Sequence, residues 1–251
     1  EPHALSRSAG PVPLATSRAN GWLRRLLWQR ERGAAHAEAL ITARGVLAAK
    51  AEFEGEMRTL HVRFAGSEDR IYCELRPGRV VEVAAGGWRV LSCYPVLFRR
   101  LPTARPMPDP VAGGSLESLC DLVRLRGGRD RRLLLAYAVT VPAEHIPRPI
   151  LLLTGPAGSG KTTLARMLKQ LLDPGSPEFV TIGRDFVQAA DHSALVVLDN
   201  LGSLAPWVVD TLCRMVTGEG QLHRRLYTDD EAFVRSLRRA VVMTAINTPS
   251  E

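Results

Sequence analysis

The segment Gly155-Pro-Ala-Gly-Ser-Gly160-Lys161-Thr162 constrains this chain more than any other. It fits the pattern G-x-x-x-x-G-K-[ST] at every fixed position. Ile150-Leu151-Leu152-Leu153 precedes it, a short apolar run suited to a strand buried on both faces. Leu164, Met167, Leu168 and Leu171 follow at helical spacing. Strand, glycine loop and helix thus stand in the order that a phosphate-binding loop (P-loop) requires. Glycines let the backbone turn its N–H groups inward around an anion. The N-terminus of the following helix adds a favourable partial positive charge. Lys161 can reach phosphate oxygens as a mobile point charge, and the Thr162 hydroxyl can ligand Mg²⁺. The expected nucleotide-binding set is Gly155, Pro156, Ala157, Gly158, Ser159, Gly160, Lys161, Thr162 and Thr163, with ATP and Mg²⁺ as cofactors.

A second apolar run, Ala194 to Leu198, ends in Asp199. A strand ending in a carboxylate is the Walker B pattern, and it makes Asp199 the partner of Thr162 in holding Mg²⁺. Asn200 follows, where many P-loop ATPases carry a glutamate. An amide can orient water but cannot take its proton at neutral pH. Hydrolysis is then slow, or uses another carboxylate such as Glu219, or needs a neighbouring subunit. Ala240 to Asn247 reads as a third strand. Its polar end, Thr244 or Asn247, lies near the γ-phosphate if this strand sits between the other two. The expected catalytic set is Lys161, Asp199, Asn200 and Thr244. Between the second and third strands a helix is expected over Pro206 to Thr217, with Pro206 in its first turn and Gly218 as its cap. A glycine-marked hairpin or loop then carries His223, Arg224 and Arg225, and Leu226 to Thr228 can form a strand. A cationic hairpin is one device for gripping a nucleic-acid backbone. Pairing of these arginines with Asp229, Asp230 and Glu231 is the other.

Upstream, Trp22, Leu23, Leu26 and Leu27 mark one helix and Ala34 to Ala51 a second. Alternating runs around Leu60–Phe64, Ile71–Leu75, Val81–Val83 and Val90 read as an antiparallel meander. Prolines 102, 106, 108 and 110 mark a linker. Ser115 and Asp130 are candidate helix caps beyond it. The expected division is an N-terminal α+β accessory domain over 1–110 and a P-loop domain over 115–251. The fold class is α/β, a parallel-sheet core from Pro149 onward. Net charge is +7, nearly all of it arginine, since only Lys50, Lys161 and Lys169 are lysines. That excess fits a nucleic-acid partner and equally a GC-rich coding bias. No apolar run approaches the length of a membrane span, and no signal-peptide pattern opens the chain. A cytoplasmic protein without a membrane partner is expected. The four cysteines show no metal-ligand spacing and read as buried free thiols.

These segments, in this order, resemble the superfamily 3 helicase branch of the AAA+ ATPases, and more narrowly the helicase-like ATP-binding proteins of phages, prophages and actinobacterial mobile elements. The resemblance rests on residues 155–163, Val196 to Leu201, Leu212 to Gly220, Arg224 to Asp229 and Val241 to Thr244. Upstream, Ile71 to Leu75, Gly87 to Val90 and Pro95 to Arg100 also look like that group. It implies a P-loop NTPase fold and a helicase-like ATPase that works on DNA, often as a homo-oligomeric ring, near a primase or another replication partner. By that match Thr244 takes the sensor position, and His223, Arg224 and Arg225 fall where such helicases carry their DNA-contacting hairpin. The sequence departs from the pattern at Asn200. It also ends at Glu251, so the arginine finger and lid of AAA+ proteins are expected outside it. A nucleotide-binding regulatory or scaffold module with little hydrolysis is the second expectation. A small-molecule P-loop kinase is the third, disfavoured by the long hairpin region.

Overall fold

The computed structural model describes residues 2–6, 10–67, 69–175, 177–218, 220–224 and 232–250. Two short strands, β1 (His3–Ser6) and β2 (Gly10–Pro13), precede helices α1 (Ser17–Glu31) and α2 (Ala37–Phe53). Strands β3 (Leu60–His61), β4 (Phe64–Gly66), β5 (Arg70–Arg76), β6 (Arg79–Ala84), β7 (Gly87–Leu91) and β8 (Leu97–Phe98) follow. Helices α3 (Glu117–Asp121) and α4 (Gly128–Thr140) lead to β9 (Leu151–Thr154) and α5 (Lys161–Leu172). Then come α6 (Phe186–Asp191), β10 (Leu195–Ser203), α7 (Pro206–Thr217), β11 (Gly220–Arg224), β12 (Ala232–Ser236) and β13 (Ala240–Ser250).

The chain forms two compact units. The first comprises Glu1–His61, Pro77–Arg79 and Ser92–Arg100, and the second comprises Val62–Arg76, Val80–Leu91 and Leu101–Glu251. The first unit is built on α1, α2 and the β1–β2 antiparallel pair. Val12, Leu14 and Ala19 are its buried centre, with Trp22, Leu47, Ala48 and Ala51 packed around them.

The second unit holds a parallel sheet in the order β10-β13-β9. Its side chains alternate between two cores. Leu195, Val197, Ala240 and Val242 join one cluster with Leu134, Tyr137, Leu164 and Leu168 from α4 and α5. Val196, Leu198, Val241 and Met243 join another with Phe186, Ala190, Val208 and Leu212 from α6 and α7. A sheet buried on both faces needs apolar residues at every position, which is why these strands read as continuous runs. The Tyr137 hydroxyl, deep in the first cluster, donates to the Val241 carbonyl at 2.7 Å, and burial raises its pKa. Helix α7 runs from Pro206 to Thr217 and ends on Gly218 in the left-handed conformation, as the two signals predict.

The antiparallel sheet β4-β5-β6-β7 confirms the meander, but it groups with the parallel sheet and not with the N-terminal helices. Val62 and Phe64 share a core with Leu164 and Val242. Arg63, with φ of 63°, adds the polar reason. It is buried and donates from Nε to Asp173 Oδ1 at 3.3 Å. Its other nitrogens reach the carbonyls of Glu74, Arg105 and Pro174. The last crossing between the units, at Arg100 and Leu101, abuts the proline-rich 102–110 segment, but Val62–Arg76 and Val80–Leu91 upstream of it belong to the second unit. Two local expectations also change. Asp130 sits in the first turn of α4, which starts at Gly128, so it does not cap that helix. Cys93 and Cys213 are exposed; Cys120 is buried, and burial pushes the Cys73 thiol up to about 12.

Asp173, just past the end of α5, collects a buried set of donors. Oδ2 accepts from Lys169 Nζ at 2.8 Å and from the backbone N–H groups of Ala194 and Leu195 at 2.7 and 3.0 Å. Lys169 also donates to the Leu195 carbonyl at 2.8 Å. Burial alone would raise the Asp173 carboxyl, but Lys169, the Leu195 N–H and Arg63 together hold it below the usual carboxylate range. A folded-state pKa below the unfolded value gives stability that is present above the ordinary aspartate range and lost as pH falls through the folded value. Asp173→Asn is expected to destabilise the chain by about 3–5 kcal/mol at neutral pH, because it strands buried cations. In urea melts from pH 7 downward, the gap between the two proteins should narrow below about pH 4.

Candidate functional site

Helix α5 begins at the glycine loop, and its N-cap is Gly160 at φ 88°. Gly158 lies at φ 76°. A Cβ at either position would meet no atom within 4 Å, so glycine is required by the left-handed backbone and not by crowding. Positions 156–160 are exposed, as is Thr163, while Lys161 and Thr162 are half-buried. Lys161 Nζ folds back on its own loop. It donates to the carbonyls of Gly155 and Pro156 at 2.6 and 2.8 Å, with Ser159 Oγ at 3.4 Å. Lysine, loop and helix terminus thus stand as one cationic cradle.

Strand β13 lies between β9 and β10, the arrangement on which the expectation for Thr244 depends. Thr244 is buried and stands opposite Leu153 of β9. Its hydroxyl donates to Asp199 Oδ1 at 2.6 Å. The Thr162 hydroxyl donates to the same oxygen at 2.9 Å. Three elements separated in sequence therefore meet on one carboxylate oxygen beside the loop. Asp199 and Thr162 together offer hard oxygen donors of the kind Mg²⁺ takes, and that ion keeps several waters and needs few protein ligands. Among the described residues no group of three or more His, Cys, Asp or Glu is placed to hold a metal ion.

Asn200 has a structural reason that its sequence position hides. Leu198 pairs with Met243 and Leu201 with Ala245, so Asp199 and Asn200 both stand against Thr244 alone. This is a β-bulge. Asn200 occupies it at φ 57°, and its backbone N–H donates to Thr244 Oγ1 at 2.8 Å. Asparagine tolerates the left-handed region far better than glutamate does. The bulge therefore selects the amide and closes the chain Asn200, Thr244, Asp199, Thr162.

His223 and Arg224 lie on β11, which pairs antiparallel with β12; His223 faces Phe233 and Arg224 faces Ala232 in register. Arg225, Glu219, Leu226 to Thr228, and the acidic residues 229–231 lie outside the described residues. The residue that sequence reasoning missed is Arg126. It is exposed in the turn between α3 and α4, and it lines a cleft of about 400 Å³ with Thr154, Gly155, Pro156, Ile246 and Asn247. No motif marks it, because only the fold brings that turn to the mouth of the loop. Asn247 thus borders the cleft, while Thr244 takes the contact with Asp199.

Residues 116–249 match the model of the actinomycete integrative conjugative element replication protein family, more than half of the chain. The chain belongs to this family. It is thus a mobile-element replication protein, and the matched span takes in the loop, Asp199, Asn200 and Thr244. A stretch of 55 residues is also 38% identical to the uncharacterized ABC transporter ATP-binding protein YcbN of Bacillus subtilis (strain 168). That match covers 22% of this chain and only 17% of the relative's length. Among the described residues no helix is long and apolar enough to cross a membrane.

The bulge yields a direct test. Asn200→Glu is expected to cost about 1 kcal/mol in urea unfolding, the penalty of an ordinary side chain in the left-handed region. Asn200→Gly is expected to stay within about 0.5 kcal/mol of the parent. Equal stability of the glutamate and glycine variants would remove the backbone explanation for the amide.

Proposed function

We propose that the chain is an ATP-binding, DNA-dependent ATPase of helicase type that acts in the replication of its mobile element. The observation that carries this reading is the meeting of Thr162, Asp199 and Thr244 on one carboxylate oxygen beside the Lys161 loop. The sheet order, with one strand between the loop strand and the Asp199 strand, supports a P-loop NTPase fold of AAA+ superfamily 3 type.

In this reading the loop N–H groups and the α5 terminus bind the phosphates, and Lys161 moves from its own loop carbonyls to phosphate oxygens. Thr162 and Asp199 hold Mg²⁺, which neutralises phosphate charge. Thr244 fixes the Asp199 carboxylate and carries the sensor role. The Asn200 side chain, exposed on the bulge, orients water without accepting its proton. Arg126 brings a guanidinium to the cleft beside Gly155 and Pro156. DNA is the partner, with His223, Arg224 and Arg225 as contacts of the hairpin segment; a ring of copies and a primase belong to the same proposal.

Asn200 favours a second reading, a nucleotide-binding regulatory module with little hydrolysis. One set of measurements separates the two. Lys161→Ala should weaken ATP binding by at least about tenfold, since it removes the only loop cation. Single-stranded DNA should raise ATP turnover of the parent chain. Unchanged ATP affinity in the lysine variant would sink the nucleotide site itself. Tight binding with no turnover, whatever DNA is added, would move the protein to the second class.

A further inference from the structure

The positive charge of this chain is not shared between its units. The first unit carries twelve arginine and lysine residues against six carboxylates, while the second carries twenty-one against twenty. Nearly all of the net charge of +7 therefore resides in the smaller unit. Within it the charge collects on α1. One side of that helix packs inward through Ala19 and Trp22. At 100° per residue, an adjoining sector about 120° wide presents Arg18, Gly21, Arg24, Arg25 and Trp28. All five are exposed. Arg32, at the C-cap, lays its guanidinium over the Trp28 ring at 6.0 Å. Among the described residues Arg18, Arg24 and Arg25 make no ion pair with a carboxylate. Elsewhere in the chain exposed arginines do find partners, such as Arg131 with Asp121 and Arg166 with Glu178.

We infer that this face of α1 is a binding surface for single-stranded DNA. Its cations are spaced along the helix at about 10 Å per seven residues, so three of them span about 20 Å of backbone. Unpaired arginines on one face neutralise phosphates by counterion release, and every contact steepens the salt dependence of binding. An exposed indole with a guanidinium above it offers the stacking platform that favours unpaired bases over a closed duplex. This surface lies outside the hairpin segment and needs no nucleotide. The inference rests on the DNA-directed reading above, and it can fail while that reading stands.

The test uses the full chain without nucleotide, a fluorescent oligothymidine and a salt titration. The parent should bind, with a steep fall of affinity in salt. The triple variant Arg18→Ala, Arg25→Ala, Arg32→Ala should lose about two from the slope of log affinity against log salt. Trp28→Ala should weaken oligothymidine binding about tenfold or more, with Trp28→Phe retaining most of it. Arg224→Ala serves as the separate probe of the hairpin, and an unchanged far-UV circular dichroism spectrum and urea midpoint in all variants show that the folded chain is intact. An unchanged salt slope in the triple variant overturns the inference, as does a parent that does not bind oligothymidine. Loss of binding to anionic phospholipid vesicles, with oligothymidine binding kept, also overturns it and assigns the face to a membrane surface. A triple variant with flattened salt dependence beside a Lys161→Ala variant with normal ATP affinity would uphold this surface and sink the nucleotide site.

Discussion

The carboxylate of Asp173 fixes the geometry on which everything else in the second unit depends. It ties the end of α5 to the start of β10 through two backbone N–H groups and Lys169. At the other end of the same two elements, Thr162 meets Asp199. From Thr162 to Asp173 the helix rises about 16 Å, and from Leu195 to Asp199 the strand rises about 13 Å. The two lengths match closely enough for the helix to lie along the strand and be held at both ends. Arg63 extends the clamp to the antiparallel sheet. Ions this deep are costly unless each lone pair and proton is used. Here Asp173 accepts from four donors, and Arg63 gives all its nitrogens to acceptors.

The same logic of strand position governs the site. A sheet in the order β10-β13-β9 brings the ends of three strands together. The bulge at Asp199 and Asn200 adds one residue there and re-aims the β10 backbone toward Thr244. Without that extra residue the N–H of Asn200 would stay in the ladder. The hydroxyl of Thr244 would then keep its donor role to Asp199 but lose the group that orients it.

Much of this was legible in the sequence because local rules and buried packing agree. The strand runs before Gly155 and Asp199, the helix from Pro206 to Thr217 and the amphipathic start of α5 all follow from apolar spacing and cap residues. Asp199 and Thr244 were legible as strand-end polar residues, though only the sheet order shows that they touch. The bulge was not, since a one-residue register shift leaves no mark in composition. Arg63 and Asp173 were missed for a related reason. A lone arginine in a meander and a lone aspartate after a helix each read as surface charge, and they are 110 residues apart. The grouping of the antiparallel sheet with the parallel one follows from that pair and from Phe64, neither of which signals its partner.

Lys161 is already coordinated within its own loop by two carbonyl oxygens and the Ser159 hydroxyl. On the reading proposed above, an anion that takes this ammonium would exchange these acceptors for its own oxygens, so a guest with many charged oxygens, such as a triphosphate tail, would gain more from the exchange than a monophosphate would.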